Sequence, residues 1–239
     1  MSRAASDPVK VLETERAFTV DALAESLGER ISAGEFELGT WFRQAKLADE
    51  YRVSRTPVAL ALSRLETLGL VERLANRGFR VRLPTSRDVI EVIEVRALLE
   101  GYAAELAARR ISTTQLGQLS SAVAQFHEVV ESVKAGASDD GALRAMWHSA
   151  NSLFHGTIFD AAGNRQLKAS SDLLHNRLPR NTTWMAMHGD PRLLAQNANQ
   201  HEGILAAIDA GDGDQARRLA TSHVETARDI MLARIDQLD

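Results

Sequence analysis

The segment from Val53 to Arg82 restricts the possible folds more than any other part of the chain. It reads VSRTPVALALSRLETLGLVERLANRGFRVR. The spacing of Val58, Leu62 and Leu65 predicts a helix with one buried face. Because Pro57 lacks an N–H, it suits the first turn of a helix, where that group has no partner in any case. The helix is therefore expected to begin within Ser-Arg-Thr-Pro.

The start of this helix is polar and positively charged. Ser54 or Thr56 can supply the side-chain oxygen that caps the unpaired N–H groups of the first turn. Arg55 then lies at the positive end of the helix dipole, a position that suits a phosphate or a base edge. For this helix taken alone, an ordinary capped surface helix is the alternative interpretation.

A shorter helix is predicted just upstream. Residues Gln44 to Tyr51 read QAKLADEY, with Leu47 and Ala48 facing inward. Only two residues separate this segment from Ser54. Two helices joined by so short a turn, the second polar at its start, are typical of a helix-turn-helix.

A ribbon rich in arginine follows the second helix. The string FRVRL at 79–83 alternates apolar and basic residues, which predicts a strand with Phe79, Val81 and Leu83 on its buried face. The preceding Asn-Arg-Gly at 76–78 tolerates positive φ, so the ribbon can close as a hairpin with the glycine at its tightest point. Together these segments predict a winged helix-turn-helix; an unspecialised α+β fragment with a charged hairpin is the alternative.

Charge and residue usage divide the chain at about residue 84. The net charge of −4 over 239 residues separates into +1 for residues 1–84 and −5 for the rest, and all seven histidines lie at position 127 or later. The chain has no cysteine, so disulfides and thiolate metal sites are excluded. It also has no apolar run long enough for a membrane span and no signal-peptide pattern, which predicts a cytoplasmic protein.

The predicted fold is mainly α, with three parts. Residues 1–18 form a flexible tail, 19–84 the winged helix-turn-helix domain, and 85–239 an all-α antiparallel bundle of about six helices. The domain boundary is placed at Pro84 to Asp88, where a strand-ending proline precedes a helix cap. The predicted helices outside the helix-turn-helix are Val20–Ser32, Val89–Arg110, Thr113–Val133, Ala142–Ala162, Gln166–Arg177, Arg192–Ala210 and Gly213–Leu238. The inward stripe of the second of these is predicted to include Val95 and Leu98.

These segments resemble the GntR family of winged-helix regulators. The shared motifs in the first part are LADEYRVSRTPV, GLVE and RGFRV. In the second part EVRALLEGYAAELAARR, FHGTIFDAAGN, QHEGILAAIDAGD and ARRLATSHVE resemble the FadR-type C-terminal domain. The resemblance implies a homodimer that binds a palindromic operator in double-stranded DNA, acts as a repressor, and releases DNA in response to a small carboxylate effector.

The resemblance also implies which residues contact DNA. They are Arg43, Ser54, Arg55, Thr56, Ala59, Ser63, Arg77 and Gly78. Two positions depart from the family pattern: Leu38 replaces a proline, and Ala59 replaces the arginine of the usual PVREAL. Thymine methyl groups can still meet Thr56 and Ala59, whereas a bidentate arginine–guanine contact from position 59 is not possible.

Many members of this subfamily bind a divalent metal ion, and four residues match their metal-binding positions. Asn151 occupies the place of an aspartate four residues before His155, and His201 and His223 match the two later histidines. Three imidazoles and an amide oxygen can hold zinc or nickel, more weakly than with the aspartate, and leave room for a carboxylate. No organic cofactor is expected. The alternative is that each histidine is a hydrogen-bonded side chain of the bundle interior.

Effector binding is assigned to inward polar residues of the bundle. Arg96 can hold a carboxylate with its planar guanidinium, although an ion pair with Glu100 one turn away is an equally good interpretation. Arg177 and Asn199, with Trp184, are further candidates for the cavity wall.

The rival functional class is a metal-dependent hydrolase or lyase. Three histidines with an open coordination position could activate water. However, no aspartate or glutamate occupies a motif position beside them as a general base. The predicted winged helix-turn-helix would also have no role in such an enzyme, so a transcriptional regulator is the preferred hypothesis.

Overall fold

The computed structural model describes residues 19–32, 34–137, 140–175, 178 and 181–235. The predicted tail at 1–18 and the predicted effector residue Arg177 lie outside these residues. In chain order the elements are α1 (Val20–Ser32), α2 (Gln44–Tyr51), α3 (Arg55–Thr67), β1 (Val71–Leu74), β2 (Gly78–Val81), α4 (Ser86–Arg110), α5 (Thr113–Lys134), α6 (Asp140–Ala162), α7 (Arg165–His175), α8 (Asn181–Met187), α9 (Pro191–Asp209) and α10 (Gly213–Ile235). The fold is mainly α, as predicted.

Helices α1, α2 and α3 share one hydrophobic core with the hairpin. The predicted stripe of α1, Leu23, Leu27 and Ile31, is fully buried, and so are Val58 and Leu62 of α3. Helices this short would be marginally stable alone in water, so they depend on the burial of these apolar faces against one another. The predicted bounds of α1 and α2 are confirmed.

One detail of the helix-turn-helix differs from the prediction. Ser54 does occupy the N-cap position of α3, with extended backbone angles, but its side chain makes no capping hydrogen bond to the described residues. Thr56 lies inside the first turn and does not cap it either. Ser54 is instead exposed to solvent just before the first turn of α3.

The wing is an antiparallel hairpin in which Val71 pairs with Val81. Asn76 and Gly78 have positive φ values of 62° and 95°, which the tight turn between the strands requires. A third short segment, absent from the sequence prediction, joins the sheet: the N–H of Phe42 donates to the carbonyl of Phe79 at 2.9 Å. A single bridge of this kind is too short to produce the alternation of apolar and polar residues by which a strand is predicted from sequence.

Leu83 does not belong to the buried face of the wing. Strand β2 ends at Val81, and Leu83 is 42% exposed beside Gly39. The predicted alternation therefore stops two residues early, because Pro84 turns the chain toward α4.

The remaining helices form a bundle around a second core. Helix α4 starts three residues before its predicted position, because Thr85 and Asp88 form a reciprocal capping box at its start. Helix α10 packs along α4, and Gly101 of α4 lies against Thr221 of α10. The short helix α8 was not predicted. No helix in the described part of the chain has an apolar stretch long enough to cross a membrane.

The outer side of α4 is more apolar than its role in the bundle requires. Val95 and Leu98, predicted to face inward, are 44% and 65% exposed, and Tyr102 is 41% exposed. The inward face is instead formed by Val92, Ile93 and small residues of the next turns. We call Val95, Leu98 and Tyr102 the α4 stripe.

Candidate functional site

Three buried histidines meet inside the helical bundle. His155 lies on α6, His201 on α9 and His223 on α10, and none is more than 8% exposed. Each offers one ring nitrogen to a common point, and these nitrogens all lie within 4.8 Å of one another. Phe126 stacks on the ring of His201 with 4.1 Å between centroids, so the cluster is closed on that side by apolar packing.

The Nδ1 atom of each ring faces an oxygen. Nδ1 of His201 is 2.8 Å from the main-chain carbonyl oxygen of Asn197 in the preceding turn. Nδ1 of His155 is 2.7 Å from a carboxylate oxygen of Glu100, and Nδ1 of His223 is 3.0 Å from the amide oxygen of Gln200. Since a carbonyl only accepts, His201 must donate from Nδ1 and present a lone pair at Nε2.

Two of these rings are neutral at physiological pH. Complete burial lowers the pKa of His201 well below 6.5, and the neighbouring rings of His223 and His155 lower it further. Burial, together with the neighbouring His155 ring and Arg96, lowers the pKa of His223 to about 3. Neutral imidazole is the form that binds metal ions.

The distance between two rings fits a bound cation. Nε2 of His201 is 3.4 Å from Nε2 of His155. Two lone pairs at this separation repel, and a metal ion bound between them would relieve that repulsion. Two nitrogens of a tetrahedral zinc site with bonds of about 2.0–2.1 Å are roughly 3.3–3.4 Å apart. The donor set of the cluster therefore fits zinc, and imidazole nitrogens also suit nickel.

A small cavity of about 40 Å³ opens beside the histidines. Its wall includes Asn151, Arg96 and Asn197 as well as His155 and His223, together with apolar residues such as Met231. Asn151 lies one helical turn before His155, so both side chains reach the same side of α6. The polar wall thus brings together a cation, amide groups and imidazoles.

Arg96 contributes to the cavity and to an ion pair at once. Its Nη2 and Nε atoms lie 2.8 and 3.2 Å from the same oxygen of Glu100. The two side chains are only 15% and 4% exposed. The alternative contact considered for Arg96 is therefore present, but as a buried pair beside the histidines rather than a pair in solvent.

A second polar surface lies on α3. The residues predicted to contact DNA include Arg55 and Thr56, which are exposed at its start. Ala59 and Ser63 continue the same face of the helix at i+3 and i+7 from Thr56 and are half-buried. Leu60, which was not predicted, belongs to this face and is 53% exposed.

The wing supplies the other predicted DNA contacts. Arg77 is exposed at the tip and stacks over Trp41, with its guanidinium carbon 4.8 Å from the ring centroid. Arg80 lies 5.7 Å from the same ring and pairs with Glu72 at 2.8 Å. Arg43, just before α2, is exposed as well. The helix start and the wing tip thus each offer an exposed arginine.

Comparison with known protein families decides the identity of both parts. Residues 19–81 match the profile of the "Bacterial regulatory proteins, gntR family", and residues 91–226 match the "FCD domain". The chain belongs to the GntR family of regulators. Within that family it carries the FCD type of C-terminal domain, which confirms the resemblance drawn from the motifs.

The names of relatives of this GntR regulator agree with the assignment. The "Probable D-xylose utilization operon transcriptional repressor" of Paenarthrobacter nicotinovorans is 29% identical over 81% of this chain and 80% of its own. The "HTH-type transcriptional regulator LutR" of Bacillus subtilis is 27% identical over 77% and 88%. The solved structure of E. coli McbR/YncC has the same fold, with a TM-score of 0.74, 20% identity and coverage of 90% and 98%. The chain is thus a DNA-binding transcriptional regulator with an effector-binding domain, and not an enzyme; the hydrolase or lyase hypothesis was wrong.

Two predicted effector positions of the regulator need correction. Asn199 is exposed and borders a groove on the outer side of α9, not the cavity that contains Arg96. A step of two residues turns the helix by about 200°, so Asn197, and not Asn199, shares the face of His201. Trp184 is buried in the core against Trp147 and does not border this cavity.

Sequence reasoning missed the hydrogen-bond partners of the histidines. The partner of His201 is the main-chain carbonyl of Asn197, which any residue at i−4 in the helix would supply, so the identity of residue 197 gives no signal for this contact. The sequence predicted Glu100 only as a partner of Arg96. Gln200 had no signal, since its contact is made with a residue of another helix.

Proposed function

We propose that this GntR-family regulator is a repressor whose operator binding is weakened when a small carboxylate binds beside a divalent metal ion in the helical domain. The observation that carries the proposal is the convergence of three imidazole nitrogens next to a cavity bordered by Arg96. The relative from Paenarthrobacter nicotinovorans, described as an operon repressor, supports the repressor role.

His155, His201 and His223 would hold the ion, with the amide of Asn151 beside them. A divalent ion bound there supplies a Lewis acid for an effector oxygen. Arg96 offers a second cationic contact on the cavity wall, and the apolar side around Met231 accepts the short carbon skeleton of the effector. A small carboxylate matches this combination of charge and size.

A direct connection between cavity and wing supports the regulatory role. Helix α4 carries Arg96 near its centre, while Asp88 in its first turn binds Arg82 of the wing at 2.8 Å. Helix α4 could occupy two placements in the bundle. An effector that binds the domain more tightly in one placement than in the other would shift the orientation of the wing. The size of that shift is limited by the difference between the two affinities.

The α4 stripe supports a homodimer. Three large, exposed side chains on one helix face are unusual for a monomer and suit contact with a second copy of the chain. A two-fold dimer would present two α3 helices to half-sites of a palindromic operator, spaced by about one turn of DNA.

The face of α3 suggests how bases are read. Thr56, Ala59 and Leu60 offer methyl groups and no bidentate donor, so we propose that they recognise thymine methyls in the major groove. Operator fragments can be obtained by letting the protein select DNA from a random library. In these fragments, replacing a thymidine by deoxyuridine removes only the methyl group. Affinity should fall at the thymines contacted by α3 and not elsewhere; equal affinity at every position would contradict this proposal.

The metal and effector parts are tested together. Metal analysis of protein incubated with zinc or nickel should give about one ion per chain, and a chelator should lower the melting temperature, since an ion bound only by the folded state stabilises it. His201→Ala and His223→Ala should abolish metal binding and the response to a panel of carboxylates. DNA binding should persist in both variants. Zero metal content with an unchanged melting temperature would contradict the metal site, while the regulator assignment would stand.

A further inference from the structure

We infer that Glu100, Gln200 and Thr226 form an outer shell that holds His155 and His223 with Nδ1 protonated and Nε2 directed at the metal point. The inference rests on the proposed metal site and adds residues that determine its affinity. With the carbonyl of Asn197 acting on His201, all three rings are then preset before any ion binds.

The hydrogen bonds around His223 leave a single consistent assignment. The hydroxyl of Thr226 lies 2.8 Å from the carbonyl oxygen of Ser222, which can only accept, so the hydroxyl donates there. Thr226 must then accept from Gln200, 3.2 Å away, and the group that donates is the amide NH₂. The amide oxygen of Gln200 consequently faces Nδ1 of His223, which must carry the proton.

The orientation of His155 is fixed by a buried charge. One oxygen of Glu100 accepts from Nδ1 of His155 at 2.7 Å, and the other is held by Arg96 at 2.8 Å. Glu100 is only 3% exposed and cannot turn toward the cavity without losing both partners. Carboxylates placed behind a metal-binding histidine orient the ring and increase its basicity.

Glu100 also explains how the site works without an acid at position 151. Asn151 brings no charge to the metal point, while Glu100 brings a negative charge one shell further out, behind His155. The positive charge of the ion is then not neutralised by a directly bound carboxylate. That charge remains for an anionic effector, next to Arg96.

The state of the rings can be read without metal. Long-range ¹H–¹⁵N correlation spectra of the metal-free protein should show the Nδ1–H form for His155, His201 and His223. In Thr226→Val, which lacks the hydroxyl, the amide of Gln200 can rotate and His223 should shift toward the Nε2–H form. Thr226→Ser keeps the hydroxyl and should restore the wild-type spectrum. An Nε2–H form of His223 in the wild type would overturn the inference.

Zinc affinity provides the second readout. Glu100→Gln and Gln200→Leu should each weaken zinc binding by about 10–100-fold, the usual effect of losing an outer-shell partner. Gln196→Leu, on the exposed side of the same helix as Gln200, is the matched control and should bind zinc normally. Asn151→Asp should recover most of the affinity lost in Glu100→Gln, because it returns a carboxylate to the site.

The outcomes separate the inference from the proposed function. Normal zinc affinity in Glu100→Gln and Gln200→Leu would overturn the outer shell and leave the metal site intact. No zinc binding by the wild type would overturn the metal site, and the spectra of Thr226→Val would still decide whether the rings are preset. Thr226→Val replaces one hydroxyl with a methyl group of similar size and keeps the ion pair of Glu100, so its result stands if Glu100→Gln fails to fold.

Discussion

At the scale of single residues, Gly101 sets the distance between α4 and α10, which pack along each other in the bundle. A Cβ at this position would overlap the hydroxyl of Thr221 and lie 3.2 Å from the carbonyl oxygen of Arg217. Helices α4 and α10 carry Arg96, Glu100 and His223, so their separation determines the dimensions of the site.

Gly101→Ala should therefore destabilise the protein by about 1–3 kcal/mol, the usual cost of overpacking a close contact. Gly117→Ala on α5 is the control, because a Cβ there has no heavy atom within 4 Å. That change should be neutral or stabilise the protein by up to about 1 kcal/mol, since alanine favours helix. Denaturant unfolding of both variants measures the difference, and equal stabilities would contradict the assigned contact.

Arg77 is expected to contact a phosphate at the wing. Arg77→Ala should weaken operator binding and reduce the slope of log K against log salt by about one, because one fewer counterion is released. Arg87→Ala is the control, since Arg87 is 87% exposed on α4 and away from the wing tip. Fluorescence anisotropy at several salt concentrations gives both slopes; an unchanged slope for Arg77→Ala would exclude the phosphate contact.

How much of the site was predictable depends on where the partners of each residue lie. The histidines were found from sequence because they match the metal-binding positions of the subfamily that the chain resembles. Gln200 and Thr226 were not, because an ordinary polar residue of a helix acquires a role only from a neighbour on another helix. The exposed Leu60 was missed for a related reason: the predicted face of α3 was taken from the family pattern, which carries no leucine there.

At the scale of elements, the helices with clear end signals were predicted closely. Helix α5 begins at Thr113 as expected, after a capping box formed by Ser112 and Gln115. Helix α8 was missed because its seven residues, NTTWMAM, contain no 3.6-residue stripe. The segment that pairs with β2 was missed because one bridge is too short to show a period.

The capping box of α4 should respond to pH. Burial alone would raise the pKa of Asp88, but hydrogen bonds from Thr85 and the charge of Arg82 outweigh burial and hold the pKa below its usual value. The stabilisation is therefore fully present above the unfolded-state pKa of about 4 and is lost as pH falls through the lower folded-state pKa.

Asp88→Ala should cost about 1 kcal/mol near neutral pH, and the difference from wild type should shrink below about pH 4. Ser112→Ala removes the equivalent cap of α5, whose partner Gln115 does not titrate. Its effect should be the same at both pH values. Thermal unfolding at pH 7 and pH 3 compares the variants, and a pH-independent effect of Asp88→Ala would contradict the role of its charge.

At the scale of the whole molecule, the α4 stripe is expected to join two copies of the chain. Leu98→Glu should convert a dimer to a monomer in sedimentation experiments, because a charge in an apolar contact costs several kcal/mol unless it is paired. Leu173→Glu on α7 is a close control, since the two leucines are 65% and 67% exposed. A dimer that persists in Leu98→Glu would place the interface elsewhere.

The positions of the three tryptophans allow metal binding to be followed by intrinsic fluorescence. Trp147 borders the cavity and contacts Phe126, the residue stacked on His201, with 4.7 Å between ring centroids, whereas Trp41 lies in the wing. In Trp41→Phe the remaining fluorescence would come from the helical domain alone. Paramagnetic nickel should quench that emission and diamagnetic zinc should not, so the protein itself would signal which ion is bound without any attached dye.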